Sequence, residues 1–388
     1  MRVAVISFHT CPYEEFGSRF SGGMNVFLRE VCLRLALAGN EVTVFTRGWG
    51  EEEERVKTEG LRVVHVPCGL PKSPDLGDFL ASADVFSSAV LAHLRASPPD
   101  VVFSNYWLSG RAAICARENL RVPFVHMHHT LEALKEKFSK TRYGDPHLRS
   151  ARLFAEFEVQ KRASYLIHPS PTDREEAMKL YPFIRDRAVV VFPGVREDIL
   201  DLPRMRERGR SLLGAGEGEV VFLAGGREER TKNISGLVEV FEKFPEARAR
   251  LALLGGKVEW RSEKISVLPP LSGEDYVAAL DGADVVVVPS AYESFSLFGF
   301  DALARGKVLV APSRSFLGRF VMEKGCGETF DSQEGLAVAL ERVLISPGRF
   351  VDGCAEAREE CRSFTWESTL LSLLRVLELS LRAPLPGE

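Results

Sequence analysis

Short apolar runs rich in Val and Ile recur along the chain, separated by amphipathic stretches. In the first half, runs at 2–8, 41–46, 61–67, 100–104, 123–128, 164–169 and 188–192 alternate with helical patterns at 24–38, 76–95, 108–118, 149–163 and 173–181. Strands apolar on both sides must be covered on both faces, and a helix between consecutive strands makes them parallel. The series pauses at Phe192-Pro193-Gly194-Val195 and a charged stretch. It resumes at 218–224, 250–255, 264–268, 284–289 and 307–311, with helices between and a helical run from 333 onward. The pattern predicts an α/β chain of two doubly wound, Rossmann-like domains, 1–195 and 196–363, followed by a helical segment at 364–388. Open parallel sheets bind ligands at the carboxyl ends of their strands. Two such domains facing each other across a cleft would suit a two-substrate reaction.

The 388 residues suffice for two cores without disulfide or metal staples. A net charge of −4 argues against a general nucleic-acid binder, whose footprint is basic. No apolar run approaches the ~18 residues of a membrane span. Met1-Arg2 leads directly into Val3-Ala4-Val5-Ile6 with no small-residue cleavage site, so no signal peptide is expected. Seven scattered cysteines, never spaced C-x-x-C, fit neither a disulfide framework nor a zinc site. The expected setting is the cytoplasm. Two Gln and five Asn beside abundant Glu, Lys and Arg suggest a thermophilic source. A homodimer is one assembly compatible with this composition.

Neither G-x-G-x-x-G nor G-x-x-x-x-G-K-[ST] occurs, which removes the main support for dehydrogenase and NTPase readings. Instead, Ser21-Gly22-Gly23-Met24-Asn25 runs into a helix, where paired glycines let backbone N–H groups approach an anion. Arg227 and Lys232 follow the strand at 218–224, placed to hold a diphosphate and stabilise its developing charge. Glu228 and Glu229 among them also allow a solvated, self-neutralising charge run. Glu293 and Asp301 enclose seven residues, two turns apart if the stretch is helical. That spacing suits two ends of one long ligand better than a glycosidase pair. Alternatively, Asp301 is a helix-surface charge and Glu293 the neighbour of an N-cap. His126, His128 and His129 end the run at 123–128, with no partner at zinc-ligand spacing. His129 is read as the functional histidine and the other two as structural.

In order and spacing, these segments resemble the retaining family-4 (group 1) glycosyltransferases of GT-B fold over most of the chain. Ser21-Gly22-Gly23-Met24-Asn25-Val26 resembles the glycine loop of that family, and Asn105-Tyr106-Trp107-Leu108-Ser109-Gly110 and His129-Thr130-Leu131 its acceptor-side segments. Phe192-Pro193-Gly194-Val195 resembles the interdomain hinge, Arg227 with Lys232 the diphosphate clamp, and Glu293 through Asp301 the E-x7-E signature. The first half is most similar to the branch holding the N-acetylglucosaminyl–inositol-phosphate synthase and the sucrose-phosphate synthases; Lys232-Asn233 is more like the latter. Three positions depart from the family pattern. Asp301 stands for the usual Glu, Ser296 for the usual Gly, and Pro312-Ser313-Arg314-Ser315 for a Gly-Gly.

The resemblance implies transfer of a hexose from a nucleotide-diphosphate sugar to a small, phosphorylated acceptor such as a sugar phosphate or inositol phosphate, with retention. Gly23 would meet the donor phosphate, Arg227 and Lys232 the diphosphate, and Asp301 the ribose. Glu293 and the backbone of Ser294, Phe295, Ser296 and Leu297 would grip the donor sugar. Asn25, Lys72, Tyr106, Thr130 and Arg152 would hold the acceptor, and His129 would orient the reacting sugar. The C-terminal helix would return toward the first domain. No cofactor is implied, and without a D-x-D the clamp cations would replace an essential metal. Two other functions fit this architecture: a nucleotide-sugar epimerase, and a catalytically weak nucleotide-sugar-binding protein. The acceptor-side set counts against the first, and the departures around 296–315 motivate the second.

Overall fold

A computed structural model describes residues 1–14, 22–71, 73–139, 144–226, 229, 231–246, 248–255 and 262–386. The chain divides into two units, one of Met1–Phe192 with Trp366–Glu388, the other of Pro193–Thr365. Among the described residues, the first unit contains β1 (Arg2–Ser7), β2 (Glu41–Gly48), β3 (Glu53–Thr58), β4 (Leu61–Pro67), β5 (Val101–Asn105), β6 (Phe124–Met127), β7 (Tyr165–His168) and β8 (Ala188–Val190). They form one sheet in the order β3-β4-β2-β1-β5-β6-β7-β8. Every pairing is parallel except β3 with β4. The apolar runs become these strands because helices cover both faces: Val3, Ala4, Val5 and Ile6 of β1 are all buried. The expected strands are all present. The additional β3 (Glu-Glu-Arg-Val-Lys-Thr) is an exposed, charged edge strand whose residues bury nothing, so hydrophobic periodicity carries no signal for it.

The second unit contains β9 (Val220–Gly225), β10 (Ala249–Leu254), β11 (Ile265–Leu268), β12 (Val285–Val287), β13 (Val308–Pro312) and β14 (Gly327–Phe330). These pair all-parallel in the order β11-β10-β9-β12-β13-β14. β14 (Gly-Glu-Thr-Phe) is a second unanticipated strand, too short and polar to announce itself. In both sheets the order reverses direction next to the first strand of the series, between β1 and β5 and between β9 and β12. Loops diverge there, leaving a crevice at the carboxyl ends.

The helix Trp366–Arg382 completes the first unit. Trp366, Thr369, Leu370, Leu373, Val376, Leu377 and Ser380 form its buried stripe. Trp366 packs on Phe27, with ring centroids 6.1 Å apart, and Thr369 Oγ1 donates to the Phe192 carbonyl at 2.7 Å. In the second unit, the entering and leaving chain segments are tied by Val195 N–H to Phe364 O at 2.7 Å.

The segment after Val195 is anchored by a buried ionic network. Arg305 is enclosed, with Nε donating to Asp281 Oδ1 at 2.9 Å and Nη2 to Oδ2. Its remaining N–H groups go to the carbonyls of Ile199, Leu202 and Pro203 at 2.7, 2.8 and 3.0 Å. Arg204 Nη1 and the Met205 N–H also reach Asp281, at 3.0 and 2.9 Å. These bonds hold the Asp281 carboxyl below the usual carboxylate range despite burial. Asp281→Ala strands a buried guanidinium and should destabilise the second unit by about 3–5 kcal/mol in denaturant titrations. Because the folded pKa is depressed, the Asp281 contribution is complete above the unfolded value of ~3.9. It is lost as pH falls through the folded value, so the mutant and wild-type stability curves should converge only on strong acidification.

Candidate active site

In the first unit, the expected acceptor-side residues collect at the carboxyl ends of β1, β5 and β6. Tyr106 follows β5 with φ +69°, its N–H bonded to Met127 O at 2.9 Å. His129 follows β6 with φ +58°. Left-handed backbone costs a bulky L-residue about 1–2 kcal/mol, and such strain concentrates where a side chain must be aimed. The His129 Nε2 lies 3.0 Å from Asn105 Oδ1, and burial pushes its pKa down to about 3. Burial thus favours the neutral imidazole. His126 and His128 are enclosed as expected, His126 Nδ1 lying 2.7 Å from Ser104 Oγ and Nε2 3.2 Å from His128 Nδ1. Among the described residues no group of three His, Cys, Asp or Glu side chains could hold a metal ion.

Arg152 is fully buried, which differs from its expected place on an acceptor phosphate. Its Nε meets Glu156 Oε1 at 2.7 Å, its Nη1 lies 3.2 Å from Glu132 Oε2, and Nη2 donates to the Thr130 carbonyl at 3.2 Å. The guanidinium also lies 5.0 Å from the Tyr106 ring centroid. A cation already faced by two carboxylates has little charge to offer an anion. Arg152 instead joins Tyr106 and Thr130 into one rigid patch. Asn25 is likewise buried, its Nδ2 donating to Thr10 Oγ1 at 2.8 Å and Cys11 O at 2.7 Å, while its Oδ1 accepts from the Gly22 N–H at 3.1 Å. That amide fastens the loop after β1 to the start of the helix Gly23–Leu37. Gly23 opens this helix, whose first N–H groups have no intrahelical acceptor. Lys72 lies outside the described residues. Sequence reasoning missed Arg47 at the end of β2, buried with Nη1 on His9 O at 2.5 Å and Nη2 3.2 Å from Glu14 Oε2. A lone cation closing the run Val-Thr-Val-Phe-Thr was the available signal.

In the second unit, Lys232 from the loop after β9 and Glu293 from the loop after β12 meet at the reversal point of the sheet. Lys232 Nζ donates to Glu293 Oε1 at 2.5 Å, and Ser290 Oγ donates to the same oxygen at 2.7 Å. Gly226, at φ +145°, lies against the Lys232 stem, where a Cβ would sit 3.8 Å from Cγ and Cδ. Arg227 and Glu228 lie outside the described residues. The stretch after Glu293 is not one continuous helix. Glu293 sits in the loop, and only Leu297–Ala304 is helical, so the two carboxylates are set apart by a corner. Asp301 is buried and accepts from Tyr276 Oη at 2.8 Å, a partner that lies 25 residues away and that no motif flagged. Phe295 stacks on Phe300 at 4.4 Å and 9°, so its ring belongs to the core.

Ser296 occupies φ +81°, ψ +80°, and its Oγ accepts from the Gly299 N–H at 3.3 Å, capping the helix. Left-handed geometry explains why a glycine would be the natural occupant, and the cap explains how serine is tolerated. Ser296→Ala keeps the strain and loses the cap, and thermal unfolding should show a loss of about 1 kcal/mol. Ser296→Gly removes both and should match or exceed the wild type.

A family model described as Glycosyltransferase Family 4 matches residues 21–198, and one described as Glycosyl transferases group 1 matches 205–363. The chain is 32% identical to D-inositol 3-phosphate glycosyltransferase of Xylanimonas cellulosilytica, across 97% of this chain and 96% of that one. It is 30% identical to the protein of that name from Saccharomonospora viridis, across 98% and 95%. Among solved structures, sucrose-phosphate synthase from Thermosynechococcus elongatus superposes with a TM-score of 0.84 at 24% identity, across 99% of this chain and 100% of that one.

Proposed function

We propose that this chain, which belongs to the family-4 (group 1) glycosyltransferases of GT-B fold and is a hexosyltransferase, moves a hexose from a nucleotide-diphosphate sugar to a small phosphorylated acceptor with retention and without an essential metal. One observation carries the reading: a lysine and a carboxylate held 2.5 Å apart at the strand-order reversal between β9 and β12. A crevice at that point is where an open α/β sheet receives a ligand. A donor diphosphate would compete with Glu293 for the Lys232 ammonium, and the released carboxylate would be available to the hydroxyls of the donor sugar. Arg227 would add a second cation to the diphosphate, and Asp301, steadied by Tyr276, would meet the ribose.

In the first unit, Tyr106 and Thr130 would face the acceptor on a patch stiffened by Arg152, with Lys72 supplying charge to its phosphate. Asn25 would act by shaping the loop, and the N-terminal N–H groups at Gly23 would face the donor phosphate. An inositol phosphate fits the names of the relatives matched along nearly the whole chain; hexose phosphates share the same chemistry. The bond from the anomeric carbon to the diphosphate oxygen breaks while the acceptor oxygen bonds to the same face. The acceptor proton passes to the leaving phosphate oxygen. His129 orients the sugar and need not be the base, because the leaving phosphate oxygen takes the acceptor proton. The clamp cations supply the charge stabilisation a metal would otherwise provide. Action in a reducing cytoplasm fits the scattered cysteines, none of them spaced C-x-x-C.

The test is nucleoside-diphosphate release with EDTA present. UDP-glucose, UDP-N-acetylglucosamine, GDP-mannose and ADP-glucose are each crossed with inositol phosphate and hexose phosphates. Release from one donor only when one acceptor is present is the expected result. Acceptor-independent turnover to an epimeric nucleotide sugar would contradict it. With the active pair in hand, Lys72→Ala should raise KM for the phosphorylated acceptor by about 10-fold or more, the size of a lost charge-assisted contact. The dephosphorylated analogue should be almost unaffected.

A further inference from the structure

Asn105 closes β5, and its side chain has no part in the reaction described above. It is fully buried, with Nδ2 donating to the Phe103 carbonyl at 3.4 Å and Oδ1 turned to His129 Nε2 at 3.0 Å. An amide oxygen only accepts, and a neutral imidazole carries one N–H. The proton in this contact therefore sits on Nε2, and Nδ1 keeps its lone pair. Nδ1 makes no hydrogen bond to any described residue.

The left-handed backbone of His129 and the edge of the Phe27 ring, 5.7 Å away at 76°, hold the imidazole in this orientation. His126 in β6 and His128 just after it, the titratable neighbours in sequence, are themselves pushed toward the neutral form by burial. No carboxylate among the described residues acts on His129 to favour an imidazolium.

We infer that Asn105 is a positioning residue that locks His129 as the Nε2–H tautomer, so that this point of the site presents a hydrogen-bond acceptor and selects a sugar hydroxyl. The inference rests on the reading of His129 as facing the reacting sugar. A free Nδ1 lone pair can take an O–H from a hexose but can give nothing to a carbonyl or acetamido oxygen. An amide partner suits this task better than a carboxylate, which would stabilise the imidazolium and turn Nδ1 into a donor.

The test begins without substrate, using the full-length chain labelled with 15N-histidine and His129→Gln to assign the signal. Long-range 1H–15N spectra should show His129 as neutral Nε2–H from pH 5 to 9. Asn105→Asp should raise the His129 pKa into the neutral range, and its transfer rate should fall below that new value and recover above it. Asn105→Leu should mix the tautomers and lower kcat about 10- to 100-fold with KM little changed, the usual cost of releasing a catalytic imidazole from its orienting partner. A deoxy donor lacking the selected hydroxyl should lose rate in the wild type and show no further loss in Asn105→Leu. An Nδ1–H signal in the wild type would overturn the proposal, as would an unchanged His129 titration in well-folded Asn105→Asp. A locked Nε2–H in a protein that transfers no sugar would uphold the tautomer and sink the transferase reading, so the two failures remain distinct.

Discussion

Parallel strand pairing is the constraint on which everything else depends. A parallel neighbour can be reached only by a crossover, and a run of helical crossovers sends every strand in the same direction. The carboxyl ends of every strand but β3 therefore open at one edge of each unit, and the loops leaving them collect there. Where the strand order reverses, beside β1 in one unit and β9 in the other, adjacent loops diverge and a crevice results. Tyr106, His129, Lys232 and Glu293 come from loops at these edges, although they lie far apart in sequence.

The backbone at those edges is strained in a consistent way. Among the described residues, five non-glycine residues have positive φ, and four of them, Tyr106, His129, Asn233 and Ser296, stand next to the proposed substrate groups. The fifth, Arg121, ends a helix in the usual left-handed conformation. Strained residues persist only where their surroundings over-determine them. The Tyr106 amide is held by Met127 O, the His129 ring by Asn105, and Ser296 by its own cap. In the second unit, the Asp281–Arg305 network fixes the chain that leads into the sheet.

The central strands were legible because burial on both faces writes an apolar run into the sequence. β3 and β14 were not, because an edge strand of Glu, Arg and Lys, or four residues of Gly-Glu-Thr-Phe, buries too little to leave a pattern. The pairing of Lys232 with Glu293 was legible as two separate motifs but not as a contact, since 61 residues separate them. Arg152 and Asn25 were recognisable by type and place. Their burial was not, because the enclosing carboxylates Glu132 and Glu156 and the Thr10 loop carry no motif of their own. Tyr276 and Asn105 were invisible as partners for the same reason: each acts through a side chain brought near only by the sheet.

The claim that the reversal point at β9 and β12 receives a diphosphate is tested most directly by calorimetric titration with UDP, GDP and ADP and their monophosphates. For the preferred base, the diphosphate should bind more tightly than the monophosphate, and Lys232→Met should erase most of that difference while leaving monophosphate binding almost unchanged. Equal affinity for di- and monophosphate in the wild type, or a Lys232→Met protein that keeps the full difference, would contradict the account.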